Sequence, residues 1–461
     1  GDSTYQHFAQ CGRDYDRGLA GCGANRVIEL CVCDVDDEEY GPTFQKNVLD
    51  WLAENGEEFR GAAEAKPKKG FFSRLFGFLG RPADAVDTTA GPLVVRAPSG
   101  PKTSFATVKS RRRLNAAGSA KETMHYELEL DDADFSYLPG DCIAVHPDNS
   151  AEDIARFLER TGLDGATPVE FDGRPSTLRA VLATRDFHRL TTEFAELLAR
   201  GQGPLAVSGC DVKAYRHERH VLEALAEHRD FGVLEASAVL EALLPTPARL
   251  YSIASSPRLR AKSVDITVET PRYEHGGYQR VGLASGWLRD RVRDGERIRV
   301  HKVLGNHFRP AAPDVDMILI GPGTGVAPYR GFLQDRGVER SAGRTWLFFG
   351  HQHERTDFLY QSEFEAFREA GVLTRLDCAW SRDQVEKRYV QHLLEEAGAE
   401  VWAWVQGGAV LYVCGDKQHM AADVNAALVR VAMRHGGLDT EAAHAFWKDA
   451  EENDRYRVDV Y

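Results

Sequence analysis

The sequence has no CxxC pair and no paired His/Cys spacing of the kind that grips zinc, although it holds eight cysteines, at positions 11, 22, 31, 33, 142, 210, 378 and 414. That scatter predicts reduced thiols and no bound metal. There is no apolar run near the roughly 18 residues that a membrane-spanning helix needs, and no stretch resembling a secretory signal. The expected compartment is the cytoplasm. Positive charge is in deficit, since 57 Lys and Arg face 70 Asp and Glu for a net charge of −13. Nucleic-acid binding is therefore disfavoured. Acidic clusters such as Asp34, Asp36, Asp37, Glu38 and Glu39 suit docking onto a basic protein surface, or serve solubility alone.

What is present is a globular chain of 461 residues, 43% hydrophobic and 28% charged. It is long enough for two to four domains. The most informative stretch is MILIGPGTGVAPYRGFLQDR, residues 317–336. Met317 to Ile320 read as a buried parallel strand, Gly321, Gly323 and Gly325 permit a tight turn, and helical periodicity follows. Free N–H groups and the positive end of that helix suit a pyrophosphate, so the stretch predicts a dinucleotide. A glycine-rich loop alone is a weak signal.

Residues 1–57 contain a strand-like RVIELCVCDV and a helix-like VLDWLAENGEEF, α/β material without enough strands for a core. The opening GDSTYQHF reads as the middle of a domain, so the chain is expected to be a fragment. From 58 to 93 the composition reads as a linker. Within it, KKGFFSRLFGFLGR (68–81) sets Phe72, Leu75, Phe76 and Leu79 at helical spacing among basic residues. Two internal glycines favour a linker segment packed on a neighbouring domain over a membrane-surface helix.

From Val94 the pattern turns to β: SFATVKSRRRL, HYELELDD and YLPGDCIAVHP read as barrel strands. Ser150, with Asp153 three residues on and Gly162 at the far end, caps an amphipathic helix carrying Ile154, Phe157 and Leu158 on one face. Helical patterns then dominate to Leu244. Strand signals resume at ARLYSIASS and VDITVETPRY, so the helical block, about 150–244, is an insertion between two halves of a barrel. From Asp316, strands MILIG, TWLFFGHQ, TRLDCAW and LYVCGD alternate with helices, which predicts a parallel doubly wound domain.

RLYSIASS, residues 249–256, sets a cation, an aromatic ring and a hydroxyl within four positions. Arg249 and Tyr251 share one face of the strand, and Ser252 points oppositely or ends it. Such a strand can hold a phosphate, stack on a planar ring and hydrogen-bond a ring nitrogen. Spacing alone describes an ordinary half-buried strand as well.

Taken in order, RLYSIASS, VGLASGWL, IGPGTGVAPYRGF, AWSRDQVEKRYVQ, LYVCGD and the terminal DVY resemble the ferredoxin-NADP reductase superfamily. The helical insertion and the flavodoxin-like N-terminus make the chain similar to the diflavin reductases, and within them to the flavoprotein (alpha) components of NADPH sulfite reductase. GDSTYQHF is similar to the last flavin-binding loop of that family, and WLFFGHQHERTDFLYQSEF to its second dinucleotide strand and helix.

The resemblance implies a multidomain chain: the C-terminal part of a flavodoxin-like FMN domain (1–57), a linker (58–93), an antiparallel β-barrel FAD-binding domain with the helical insertion (94–310) and an NADPH-binding domain (311–461). It implies that Arg249 meets the FAD pyrophosphate, that Leu250 and Tyr251 line the flavin with Tyr251 stacked on it, and that Ser252 lies near its reactive nitrogen. Thr267, Val268, Glu269 and Tyr273 match a second FAD strand, Gly282, Leu283, Ala284 and Ser285 a turn that receives its phosphates, and Thr191 a further contact. Gly323, Thr324 and Gly325 are expected to form the NADPH phosphate turn. Ser381, Arg382, Lys387, Arg388, Tyr389, Val390 and Gln391 match the pocket for the 2′-phosphate, and Asp423 one more nucleotide contact.

Two cations after a strand suit a dianionic phosphate, where an acid would suit the NAD ribose; two solvated surface cations would look the same. Cys414 and Asp459 match residues lining the hydride-transfer site with Ser252, though Cys414 also reads as a buried inert thiol. Tyr461 matches a terminal aromatic that covers the flavin and also reads as a frayed end. Of the last FMN loop, Gly1, Asp2, Ser3, Thr4, Tyr5 and Phe8 are present, so FMN belongs to the intact protein and its binding here is doubtful.

The expected function is electron flow from NADPH to FAD to FMN and on to a hemoprotein. By the resemblance, that acceptor would be the sulfite reductase hemoprotein (beta) subunit, in a hetero-oligomer for cysteine biosynthesis. A heme monooxygenase or a nitrate or nitrite reductase as acceptor is the alternative, and a flavin-free scaffold subunit a third reading.

Overall fold

Alternating and unbroken apolar runs build the two larger sheets among the described residues. The computed structural model describes residues 93–95, 101, 103–132, 135–305 and 307–461. The segments expected at 1–57, at 58–92 and at 68–81, with Gly1, Asp2, Ser3, Thr4, Tyr5 and Phe8, lie outside the described residues.

The strands run in order β1 (Leu93–Val95), β2 (Ser104–Arg113), β3 (Thr123–Leu130), β4 (Cys142–His146), β5 (Pro168–Phe171), β6 (Arg174–Thr177), β7 (Arg249–Ser252), β8 (Ser263–Glu269), β9 (Arg272–His275), β10 (Tyr278–Val281) and β11 (Arg297–Val303). Six of them form an antiparallel sheet in the order β7-β4-β11-β2-β3-β8. An isolated bridge between Ile253 and Ile266 brings its first and last strands together. Its apolar face, including Val108, Tyr126, Leu128, Ile143 and Ile266, forms one core.

The chain leaves this sheet after β4 and returns at β7, beside β4. The block between is mostly helical, with the expected cap: Ser150 accepts from the Asp153 N–H, and Gly162 ends the Ala151–Thr161 helix in the left-handed region at φ 69°. It also contains a hairpin that helical periodicity did not predict. β5 and β6 pair around Asp172 and Gly173, both at positive φ (53° and 71°), the conformation a two-residue Asp-Gly turn demands. β1 adds to this hairpin in parallel and so belongs to the insertion's sheet. Phe157, Phe194 and Leu198 sit in the block's separate core.

Downstream, β12 (Met317–Ile320), β13 (Thr345–His351), β14 (Arg375–Trp380), β15 (Val410–Gly415) and β16 (Tyr456–Val460) form a second sheet in the order β14-β13-β12-β15-β16. β12, β13, β14 and β15 are parallel. From β12 the chain winds first to one side and then to the other, so β12 and β15 flank the point where winding reverses. In such sheets ligands bind beyond the carboxyl ends of the strands at that point. Both sheets belong to one compact unit, Gly91–Asp459.

Candidate functional site

At the reversal point, β12 leads into a single 3₁₀ turn, Gly323–Val326, and then into the Ala327–Glu339 helix. Gly323 has φ 57°, a left-handed conformation that favours glycine, and a Cβ there would meet nothing. Gly325 is constrained differently. Its missing Cβ would lie 2.1 Å from the Cys414 carbonyl oxygen, so the turn presses directly on the end of β15. Thr324 stands between them. The turn therefore offers open backbone at a helix N-terminus, as a pyrophosphate requires.

The end of β7 comes to the same place. Ser252 closes β7, with Cys142 of β4 as its register partner. The Ser252 hydroxyl donates to Asp459 Oδ2 at 3.5 Å, and Asp459 lies in β16. Burial raises the Asp459 carboxyl above the ordinary aspartate value, with the Ser252 bond acting against it. Burial and then the Asp459 charge push the Cys414 thiol far up and the Cys142 thiol to about 12, while Ser252 pulls both partly back. Both thiols are thus protonated at neutral pH and serve as neutral packing groups rather than nucleophiles. Three of the expected residues, Ser252, Cys414 and Asp459, are brought together; Tyr461, two residues past Asp459, is 53% exposed.

Around Ser252, Arg249 is exposed and makes no ion pair among the described residues, and Leu250 is exposed beside it. The Tyr251 hydroxyl is buried with no hydrogen-bond partner. An orphaned hydroxyl next to a free guanidinium fits a polar, anionic ligand laid along β7. Gly282 precedes the Leu283–Asp290 helix, where Ala284 and Ser285 are buried and Ser285 Oγ donates to the Gly282 carbonyl at 3.4 Å. Tyr273 is 51% exposed, on the β9–β10 hairpin.

Other residues of the expected set are engaged within the protein. Val268 is wholly buried in the core of the antiparallel sheet, and Lys121 donates to Glu269 at 2.5 Å. Thr191 caps the Thr192–Ala199 helix and donates its only hydroxyl proton to the Ala242 carbonyl at 2.6 Å. Thr267 turns its hydroxyl to Tyr360, 2.6 Å away.

On the nucleotide side, β13 ends in His351 without a carboxylate, and the N–H of Ser381 and that of Arg382 donate to the His351 and Gln352 carbonyls. Arg382 and Lys387 are exposed and make no ion pair among the described residues, whereas Arg388 pairs with Glu396. Tyr389 is exposed and Val390 is 1% exposed, packed under Gly350. Gln391 donates to Asp423 Oδ2 at 3.1 Å, so these two expected contacts meet each other.

The sequence reading missed Cys142, Asp265, Arg330 and Tyr360. Cys142 enters the site only through the β4–β7 register. Asp265, Arg330 and Tyr360 are buried polar residues within otherwise ordinary strand and helix patterns, and nothing local marks them.

Comparison with known proteins supports both sheets' ligand classes. A family model described as an FAD binding domain matches residues 98–198, and one described as an oxidoreductase NAD-binding domain matches residues 319–426. The chain is 37% identical over 471 residues to the sulfite reductase [NADPH] flavoprotein alpha-component of Serratia proteamaculans (strain 568), covering all of this chain and 75% of that protein. It is 36% identical over 469 residues to the protein of the same name from Shigella dysenteriae serotype 1, covering 100% and 74%. The one from Photorhabdus laumondii is 35% identical over 474 residues, covering 100% and 75%.

Proposed function

The chain belongs to the family of NADPH sulfite reductase flavoprotein alpha-components, and from that premise we propose that hydride passes from NADPH to FAD where Ser252, Cys414 and Asp459 converge. It is an NADPH-dependent oxidoreductase with an FAD-binding and an NAD-binding domain. The carrying observation is that the end of β7, from the antiparallel sheet, reaches the reversal point of the parallel sheet, with Ser252 3.5 Å from Asp459.

When bound, the nicotinamide and flavin rings supply the hydride donor and acceptor. The protein's part is alignment. Arg249 would hold the FAD pyrophosphate, Tyr251 would stack on the flavin and use its orphaned hydroxyl, and Leu250, Tyr273 and the Gly282–Ser285 turn would line the remainder. Gly323, Thr324 and Gly325 would receive the NADPH pyrophosphate, with Arg382 and Lys387 on the 2′-phosphate. Ser381, Tyr389 and Gln391 would frame that pocket, and Tyr461 would cover the flavin. Arg388, Val390, Thr191 and Val268 would act by packing and pairing around these groups.

The bridge between Ile253 and Ile266 supports closure of the six-stranded sheet as a barrel. By the same resemblance, residues 1–57, which lie outside the described residues, would belong to an FMN domain. FMN would then pass electrons to a hemoprotein (beta) subunit in a cytoplasmic hetero-oligomer. No helix among the described residues is long and apolar enough to cross a membrane.

Anaerobic titration of the FAD-loaded chain with NADPH, followed by flavin absorbance with NADH in parallel, tests the reading. Bleaching by NADPH and not by NADH is expected. A flavin that NADPH leaves oxidised would overturn it; once NADPH bleaches the flavin, an acceptor panel on the full-length protein separates sulfite reductase hemoprotein from other heme acceptors.

A further inference from the structure

Tyr360 is a buried, strained residue with no place in the cofactor sites. It is 3% exposed and stands before the Gln361–Glu369 helix at φ 58°, ψ 24°. The left-handed region costs a side-chain-bearing residue roughly 1–2 kcal/mol, so its surroundings must over-determine it.

They do so from the antiparallel sheet and from the helix that follows the glycine turn. Thr267 and His125 are register partners across β8 and β3, and the Tyr360 hydroxyl lies 2.6 Å from Thr267 Oγ1 and 3.0 Å from His125 Nδ1. With one proton, that hydroxyl donates to one of them and accepts from the other. Two guanidinium groups lie over the ring, Arg330 at 5.0 Å and Arg112 at 5.5 Å from its centroid. Glu363 accepts from both, from Arg330 Nε at 2.6 Å and from Arg112 Nη2 at 2.7 Å.

Arg330 belongs to the helix that starts at the glycine turn. Its Nη1 donates to the Ala254 carbonyl, two residues past Ser252, and to Asp265 Oδ2, two residues before Thr267, both at 2.7 Å. One connected set of side chains therefore ties the nucleotide-side helix to the end of β7 and to β8.

We propose that Tyr360 is a positioning residue, a latch that fixes the antiparallel sheet against the glycine-turn helix and thereby sets the alignment of flavin and nicotinamide. This rests on the NADPH-to-FAD reading above. The latch works through Thr267 and Arg330 and touches neither cofactor.

Tyr360→Phe keeps the ring and removes the hydroxyl. In the FAD-loaded protein, stopped-flow flavin reduction by NADPH should slow about three- to ten-fold, the factor one hydrogen bond of ordinary net strength carries. FAD content and the affinity for 2′,5′-ADP should hold, and the long-wavelength nicotinamide–flavin charge-transfer absorbance should weaken. In the flavin-free protein, amide exchange across Ser263–Glu269 should rise relative to the wild type. His125→Asn reads the same quantities from the other end of the bond should Tyr360→Phe fail to fold.

Reduction at the wild-type rate in both variants, or a slowing matched by loss of FAD, overturns the latch. If the FAD-loaded wild type is not reduced by NADPH, the hydride-transfer reading fails instead, and the exchange comparison still decides whether Tyr360 holds β8.

Discussion

Gly325 is the position where one methyl group should do the most damage to the proposed chemistry. A Cβ there would lie 2.1 Å from the Cys414 oxygen, 2.7 Å from its carbonyl carbon and 3.1 Å from the Gly415 Cα. All three are backbone atoms, so the strain cannot be relieved by rotating a side chain; the turn or the end of β15 must move by more than about 1 Å, since non-bonded heavy atoms settle near 3.5 Å. Overpacking of this kind costs about 1–3 kcal/mol. For a domain of this size that corresponds to a fall in Tm of roughly 2–10 °C. The displaced atoms belong to Cys414 and to the phosphate turn, and misplacement by about 1 Å can cost up to about a hundred-fold in rate.

Gly325→Ala should therefore retain FAD, melt earlier and slow flavin reduction by NADPH between about ten- and a hundred-fold. Gly323→Ala is the internal control. A Cβ there meets open space, leaving only the left-handed backbone penalty of roughly 1–2 kcal/mol. Thermal melts and stopped-flow reduction on both variants provide the comparison. Gly325→Ala with wild-type Tm and a rate within about two-fold of the wild type, well inside one hydrogen bond's worth, would refute the reasoning.

Arg382→Ala should weaken NADPH by about ten-fold or more, the scale of a charge-assisted phosphate contact, and leave NADH unchanged; equal effects in parallel Kd measurements would remove Arg382 from the 2′-phosphate site. Asp459 has a carboxyl raised by burial, so the native state holds its proton to higher pH than the unfolded chain does, and stability falls as pH rises from the ordinary aspartate range through the raised value. Asp459→Asn should accordingly raise Tm at neutral pH while lowering the reduction rate; a lower Tm would contradict the burial argument. Burial first, then Arg330, holds His125 down at about 3 against an ordinary 6.5. The unfolded chain takes up that proton first, so stability should be lost as pH falls from 6.5 towards about 3, by about 1.4 kcal/mol per pH unit. His125→Asn should flatten the acid limb of a denaturant-midpoint series, and an unchanged slope would assign the acid sensitivity elsewhere.

Local chemistry carried most of the fold into the sequence. Ser150 and Gly162 announce their helix because caps follow from short-range hydrogen bonding. Met317–Ile320 and Val410–Gly415 read as buried parallel strands because both faces are covered, so apolar residues run on without alternation. The exposed cations Arg382 and Lys387, the glycine turn and the RLYS strand are equally short-range signals, and they were legible with their order along the chain. The β5–β6 hairpin was legible too, in Asp172-Gly173, but its strands are four residues each and helical periodicity on either side outweighed them.

Long-range pairing is what the linear string does not contain. That Cys142 faces Ser252, that β1 joins the hairpin of the insertion, and that Gly325 must be bare because Cys414 lies against it all depend on register and strand order. The buried set of Arg330, Asp265, Tyr360 and His125 is further from legibility, because a charged or polar residue is tolerated inside only when its partner arrives from another element. By itself the sequence determined the two sheets, the glycine turn and the classes of ligand they suit, since each depends on residues within a few positions of one another. Tertiary structure alone decided which side chains meet: it set Ser252 beside Asp459 and Tyr360 between Thr267 and Arg330, across 207, 93 and 30 residues of chain, because burial and shape complementarity act on distance in space.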